Sequence, residues 1–361
     1  MSEERALLSA IWEHPHEDTP RLVYADWLQE AGEPANVARA EFIRLQCEQF
    51  RLDEEDPRHG ELDKQTAKLL RYHRKEWVTA LPPLLTRARF VRGFIYPRLR
   101  GIRANQFLAL GPADLAPAPL WSFKIESGAK VWPAVADSPN LQRLDHLDLG
   151  NNLLDEAAAV RLLSSEHVTN VSVLGLGLSR FTPAALAALA ANDRLTNLTE
   201  LTFWANRMTD ETFAPLAGSA RLATVRALNL SQNELTAATM RALAGSPHAA
   251  GLRSLDLFGN RLGDDGVREL CRSALNLRVL NLHATGMTDA CAEEFANWPG
   301  LRSVRYLTLG ATPLTTATAR AFTASPYFRD DVVIAFWHTR IRSDSAAANA
   351  LRERVKNVTF W

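Results

Sequence analysis

The side chains able to do chemistry are few and scattered. His14, His16, Glu17 and Asp18 are the densest set of metal-type donors, two imidazoles beside two carboxylates. Such a set could hold a divalent cation on paper. It lies next to Pro15 and ahead of Pro20, so it reads as a solvated loop between two helices. Asp264 and Asp265, between Gly263 and Gly266, have the look of a calcium loop, but an acidic first helical turn favoured by the helix dipole accounts for them better. Cys47, Cys271 and Cys291 are widely spaced with no CxxC, which predicts reduced thiols and a cytoplasmic location. Cys271 and Cys291 fall in Ala-rich helical segments, where a buried, inert thiol is expected. No GxSxG, HExxH, Walker-type glycine loop, GxGxxG or EF-hand spacing is present. These readings predict a protein that is not an enzyme and that uses no cofactor and no metal.

Composition narrows the partners. The chain has 361 residues, 41 basic against 41 acidic, and 47% apolar. Zero net charge argues against a generic nucleic-acid or anionic-membrane binder. No run approaches the roughly 18 apolar residues of a membrane helix, and the charged start Met-Ser-Glu-Glu-Arg predicts neither signal peptide nor span. Arginine outnumbers lysine 35 to 6 and alanine is abundant, as in a GC-rich, bacterial genome.

The elements that must position any site come from an internal repeat. From residue 144 the pattern LxxLxLxxNxL recurs: Leu144, Leu147, Leu149, Asn152 and Leu154; Leu198, Leu201, Phe203, Asn206 and Met208; Val225, Leu228, Leu230, Asn233 and Leu235; Leu252, Leu255, Leu257, Asn260 and Leu262. Weaker copies begin at Val168, Leu277, Val304 and Asp331, and a truncated strand follows at Val355, Val358 and Phe360. Starts lie 24, 30, 27, 27, 25, 27 and 27 residues apart. Eighteen residues after most starts stands a second large apolar residue: Leu162, Leu216, Leu243, Leu270, Phe295 and Phe322. Asp155, Thr182, Thr209, Thr236, Asp264, Thr288, Thr315 and Ser343 are the expected helix caps. Each unit thus reads as strand, turn, helix and return. Fainter copies at Leu120, Phe123 and Ile125, and at Val91, Phe94 and Tyr96, extend the array back to about residue 90.

This resembles the leucine-rich repeat family in its longer, ribonuclease-inhibitor-like form. The resemblance implies an α/β fold: a right-handed solenoid shaped as a horseshoe, with a parallel sheet on the concave face and helices on the convex face. It also implies an asparagine ladder, here Asn152, Asn206, Asn233 and Asn260, replaced by Leu176, Thr285, Thr312 and Thr339 in the other copies. Residues 1–89 show helical spacing and no repeat, predicting a small all-α domain ahead of a solenoid over 90–361. The run Tyr24-Ala-Asp-Trp-Leu28, with Glu41-Phe-Ile-Arg-Leu-Gln46, resembles the bacterial repeat-companion domain, which accompanies such repeats. The physical expectation for this unit is a cap over the open end of the solenoid core.

Function should then sit on the concave face. The second position of successive repeats reads Thr199, Arg226, Arg253, Arg278, Arg305 and Val332, so four arginines would stack about 4.8 Å apart. Such a ribbon could take acidic side chains or phosphates, or be an ordinary solvated row. After the last strand leucine stand Gly150, Leu174, Trp204, Ser231, Phe258, His283, Gly310 and Trp337. Large rings at one structural position predict interface anchors. The strand centres, Asp148, Thr202, Asn229, Asp256, Asn281 and Thr308, are polar and suit a surface that reads a protein. The expected function is an intracellular protein-binding scaffold, with Trp204, Phe258, His283 and Trp337 as anchors and Asp256 with the four arginines beside them. The alternatives are a regulator of a nucleotide-binding enzyme such as a small GTPase, a phosphate or nucleic-acid binder through the arginines, and an enzyme hidden in the helical domain. Oligomeric state is open, with the last strand near Trp361 as an edge for pairing.

Overall fold

The computed structural model describes residues 3–360 except 54–55, 80, 82–84, 116–117, 127–128 and 153, so Trp361 lies outside the described residues. Four helices come first: α1 (Glu3–Glu13), α2 (Thr19–Glu30), α3 (Pro34–Arg51) and α4 (His59–Trp77). Gly32, at φ +73°, takes the left-handed turn that stops α2, and Pro34 opens α3, where its missing N–H costs nothing. Ile11, Tyr24, Ala25, Leu28, Ala40, Ile43 and Cys47 form a small core of their own. That core is closed by Phe94, which comes from a hairpin of β1 (Arg89–Val91) and β2 (Phe94–Tyr96). The expected faint repeat at Val91, Phe94 and Tyr96 is therefore not a repeat. Arg92 and Gly93 both have positive φ, the backbone of a tight two-residue hairpin turn. A Cβ on Gly93 would come within 2.4 Å of Ile43, so the hairpin lies hard against α3.

The solenoid proper starts at residue 98. Eleven strands follow in sequence order in one sheet: β3 (Arg98–Arg103), β4 (Trp121–Glu126), β5 (Leu144–Asp148), β6 (Val173–Gly175), β7 (Glu200–Thr202), β8 (Ala227–Asn229), β9 (Ser254–Asp256), β10 (Val279–Asn281), β11 (Tyr306–Thr308), β12 (Val333–Phe336) and β13 (Asn357–Phe360). All pair in parallel. One buried residue per strand stacks in register, from Leu147 through Leu174, Leu201, Leu228, Leu255, Leu280 and Leu307 to Ile334 and Val358. Each such burial contributes about 1.5–3 kcal/mol, available only when a neighbouring unit covers it. Strands repeat every ~4.8 Å while packed helices need 8–10 Å, so the sheet takes the inner, concave side.

The register corrects the second copy. Leu174 pairs with Leu147, so this unit starts at Val171, and the uneven 24 and 30 become 27 and 27. Leu174 is a core residue, and Gly177 holds the outward position assigned to it. Ser179, not Leu176, stands in the asparagine position, with its hydroxyl directed at the Leu149 and Gly177 carbonyls. Counted from Val171, Leu189 falls at the common offset of 18. In the eighth copy Asp331 is exposed and Val332 is wholly buried, so Val332 fills the core and does not face the concave side.

Helix caps fall where hydroxyls and carboxylates were expected at Asp155, Thr182, Thr209, Thr236, Thr288 and Thr315. The last helix is capped by Ser345 in place of Ser343, because its Oγ accepts from the Ala348 N–H. Asp264 is not a cap. Its carboxylate accepts from the backbone and hydroxyl of Thr288, one unit on, as Asp210 does from Thr236 and Asp289 from Thr315. These bonds hold all three carboxyls below the ordinary aspartate range, although burial pushes the other way. A second, Asp–Thr ladder therefore ties successive units together beside the helix starts.

A third ladder runs along the strand ends. Asn151, Leu178, Ala205, Gln232, Gly259, Ala284, Ala311 and His338 all have φ between +50° and +69°. The backbone N–H of each of the first seven donates to a carbonyl of the next unit, for example Ala205 to Ser231 at 2.9 Å and Ala284 to Gly310 at 2.8 Å. Seven of these eight positions are not glycine, so each carries a left-handed penalty of about 1–2 kcal/mol. Ala311 is exposed and loses no packing on substitution. Ala311→Gly should raise stability by about 0.5–1 kcal/mol after the entropy cost in the unfolded chain, read as a higher urea midpoint. An unchanged or lower midpoint would contradict the strain at this turn.

Candidate functional site

The left-handed ladder fixes the residue before it. In order along the sheet these are Gly150, Gly177, Trp204, Ser231, Phe258, His283, Gly310 and Trp337. From Gly177 on, their carbonyls are spent on the ladder, and several of the row's N–H groups are held from the strand centre. Asp148 accepts from Gly150 at 2.8 Å, Asn229 from Ser231 at 2.9 Å, Asp256 from Phe258 at 3.0 Å and Asn281 from His283 at 3.0 Å. Asp256 thus acts on the concave row by positioning Phe258. Ser231, Phe258 and His283 have both backbone groups committed, and Trp204 and Trp337 their carbonyls, so the side chains of the row stand on a braced backbone. Trp204 and Trp337 are 39% and 43% exposed, and Phe258 and His283 are half-buried in a T-shaped pair at 5.0 Å. Burial and the nearby His338 keep the His283 imidazole below the usual histidine range, so it is neutral at pH 7.

Glycines make room for these rings. A Cβ on Gly177 would stand 2.1 Å from Trp204 Nε1, and one on Gly310 would stand 2.5 Å from His283 Nδ1. The Trp204 ring therefore lies across the backbone of the preceding unit, and His283 across that of the following one. Tyr306 is 57% exposed at a strand position between Val279 and Val333, and Val279 is 37% exposed. Sequence reasoning passed over Tyr306. Its signal was its place three into the repeat, where a side chain next to a core leucine must point outward.

The four arginines are placed at the strand-start rim, each with a partner in the protein. Arg226 bridges the carbonyls of Ala223 and Gly251 at 3.1 and 3.3 Å, and Arg253 those of Ala250 and Asn276 at the same distances. Each ties its own unit to the next. Arg305 pairs with Asp331. Arg278 reaches Asp53 of the helical domain at 3.2 Å. Each of the four arginines thus has a partner along the rim of the sheet, Arg226 and Arg253 through Nη1.

The turns below the rings carry the deciding observation. Asn233 Nδ2 donates to the carbonyls of Phe203, Leu230 and Ser231, while its Oδ1 accepts from the N–H groups of Asn206 and Met208. Asn206 and Asn260 repeat the pattern from unit to unit. Where threonine stands instead, Thr285 and Thr312 make a single bond to Leu282 and Leu309. The fold is a leucine-rich-repeat solenoid. A family profile described as Leucine Rich repeat matches residues 251–271. No curated protein matches the sequence. A chain of the yeast Rad7 and Elc1 complex is similar over 99% of this chain and 92% of its own, at 16% identity and a TM-score of 0.54. An internalin from Listeria monocytogenes is similar over 66% of this chain and 72% of its own, at 16% identity and a TM-score of 0.40.

The helical domain docks on the strand-start side of the leucine-rich-repeat sheet. His16 Nε2 bonds the Asn170 carbonyl at 2.8 Å, and Tyr96 donates to Asp145 at 2.6 Å. This docking uses the group read as a metal loop. Asp18 is held by Arg92 at 2.5 Å and by Arg51 at 2.6 Å, and His14 faces Glu17 at 3.4 Å. Arg21, itself buried, donates to the carbonyls of Glu17 and Pro15. Among the described residues no group of three or more His, Cys, Asp or Glu is arranged to hold a metal ion, and no helix is long and apolar enough to cross a membrane. The three cysteines are unpaired, and burial pushes the Cys47 and Cys271 thiols up to about 12 and Cys291 higher still. They are protonated and poor nucleophiles at neutral pH.

Proposed function

We propose that this protein is a binding scaffold that works without catalysis, holding a protein partner on the concave face of its solenoid. The observation that carries the reading is the row Trp204, Phe258, His283 and Trp337, set on a rigid backbone ladder, with Tyr306 and Val279 exposed beside it. Rings held in place lose little entropy on binding, and Trp and Tyr dominate interface hot spots. At ~4.8 Å per unit, Trp204 and Trp337 stand five units and roughly 24 Å apart, a span suited to a folded partner or a long peptide. The Rad7 and Elc1 chain, which shares the fold, was solved in a complex with a protein. Three unpaired thiols favour a reducing, cytoplasmic setting. In this reading the helical domain is the companion unit of the repeats. It braces the rim and leaves the ring row free.

The test is affinity capture from a lysate of the source cell with purified full-length protein, set beside Trp204→Ala/Phe258→Ala/Trp337→Ala. These side chains are partly exposed, so the variant should keep its far-UV spectrum and unfolding midpoint. Expected is one protein retained by the wild type and weakened at least about a hundredfold by the variant, since hot-spot truncations cost about 2 kcal/mol or more each. Equal retention by both would move the binding surface off the rings and overturn the reading.

A further inference from the structure

Net charge is zero over the chain, yet residues 77–113 contain six arginines and no acidic residue. This segment is the hairpin followed by β3, the first strand of the sheet. Arg92 is spent inside on Asp18. Arg87, Arg89, Arg98 and Arg103 are exposed and form no ion pair among the described residues. Two cavities meet at Arg98. One, of about 280 Å³, is lined by Arg87, Arg89 and Tyr96; the other, of about 390 Å³, by Ser122, Lys124, Glu126, His146 and Asp148. Along the same place β3 ends the sheet. It pairs with β4 on one side, and no described strand pairs with the other.

We propose that an extended acidic peptide segment of a partner protein binds here, adding as a strand to the free edge of β3 with its carboxylates on Arg87, Arg98 and their neighbours. The edge supplies main-chain donors and acceptors, and guanidinium groups take carboxylates in a two-bonded fork. Single-stranded nucleic acid fits the same surface less well. Glu126 and Asp148, on β4 and β5, lie on the side of β3 away from its free edge, so they would repel a phosphate backbone that ran across the sheet but not a peptide paired along the edge. Bases would also find no free ring to stack on, because Tyr96 is 8% exposed and Arg89 lies 4.8 Å over its face. A second copy of this chain would bring its own free edge, β13, whose strand Asn357–Phe360 has no carboxylate.

Fluorescence anisotropy on the full chain tests this, using a labelled eight-residue peptide that alternates glutamate and valine. Two further versions are N-methylated at alternate residues, one for each edge of the peptide, and an oligothymidylate of similar length serves as the competing polyanion. The acidic peptide should bind, and Arg87→Gln/Arg98→Gln, at exposed positions that leave the fold intact by circular dichroism, should weaken it at least tenfold. One N-methylated version should lose binding and the other keep it, since only one peptide edge meets β3. Loss in both or in neither would overturn strand addition. Tighter binding of the oligothymidylate, no binding of the peptide, or indifference to the arginine substitutions would overturn the proposal as a whole.

Discussion

Asn233→Ala should lower stability by about 3 kcal/mol, more than any threonine substitution in the same ladder. The Asn233 side chain is 5% exposed and satisfies five backbone groups: three carbonyls at 2.8–3.1 Å and two N–H groups at 3.0 Å. Alanine leaves those groups in an apolar turn that water does not reach. A buried donor or acceptor left alone costs about 1–3 kcal/mol, and some of these groups share a second partner, which brings the sum to the lower range. Thr285→Ala is the internal control. Thr285 is wholly buried but makes one bond, to Leu282 at 2.7 Å, so about 1 kcal/mol is expected. Urea unfolding of both variants, with the slope checked for loss of cooperativity, gives the comparison. Should Asn233→Ala cost no more than Thr285→Ala, the asparagine ladder would not be the brace the geometry makes it.

Asp18→Ala should cost about 3 kcal/mol at pH 7, and the difference from wild type should vanish in acid. Asp18 and Arg92 have side chains only 10% and 6% exposed and are 2.5 Å apart, with Arg92 also donating to the His16 carbonyl. Removing the carboxylate strands a buried guanidinium, which costs about 3–5 kcal/mol; the carbonyl bonds soften it. The sign with pH follows from the carboxyl. Burial pushes its pKa up, but Arg92 and then Arg51 pull it further down, to a net position below the ordinary 3.8. A carboxylate depressed on folding stabilises in full above its unfolded pKa and loses that contribution as pH falls through its folded pKa. Urea midpoints of wild type and variant should therefore stay apart from pH 7 to about 5 and converge as the pH falls below 3.8. A gap that persists unchanged at pH 2.5, or one that closes already near pH 6, would assign the effect to packing or to another group.

Much of this molecule was readable before its folding was known, and the places where reading failed are instructive. In the second unit Val168, Val171, Leu174 and Leu176 are all buried. The template therefore fits equally from Val168 or Val171. Most units carry an extra core residue three before their start, such as Leu141, Leu195, Leu222 or Leu301, and Val168 is that residue. Hydrophobicity cannot separate two buried positions; only strand pairing can. The error then travelled, placing Leu174 among the rings and Leu176 in the asparagine ladder. The partners of the rim arginines were hidden for another reason. Arg226 and Arg253 find main-chain carbonyls, and a carbonyl leaves no trace in the identity of its residue.

The sequence by itself determined the repeating unit, its buried leucines, most helix caps, the asparagine ladder and the helical character of the first domain. These depend on contacts within a unit or between adjacent units, which recur every 27 residues or so and therefore mark the chain periodically. Only the tertiary structure decided that the loop of His14 to Asp18 is a docking joint, that the hairpin of residues 89–96 sends Phe94 into the helical core and Phe90 and Ile95 into the solenoid core, and that Gly177 and Gly310 give Trp204 and His283 their space. Asp18 meets Arg92 across 74 positions, and Arg278 meets Asp53 across 225. Contacts of that kind occur once, so no period announces them, and their partners are set by where folding brings the chain back.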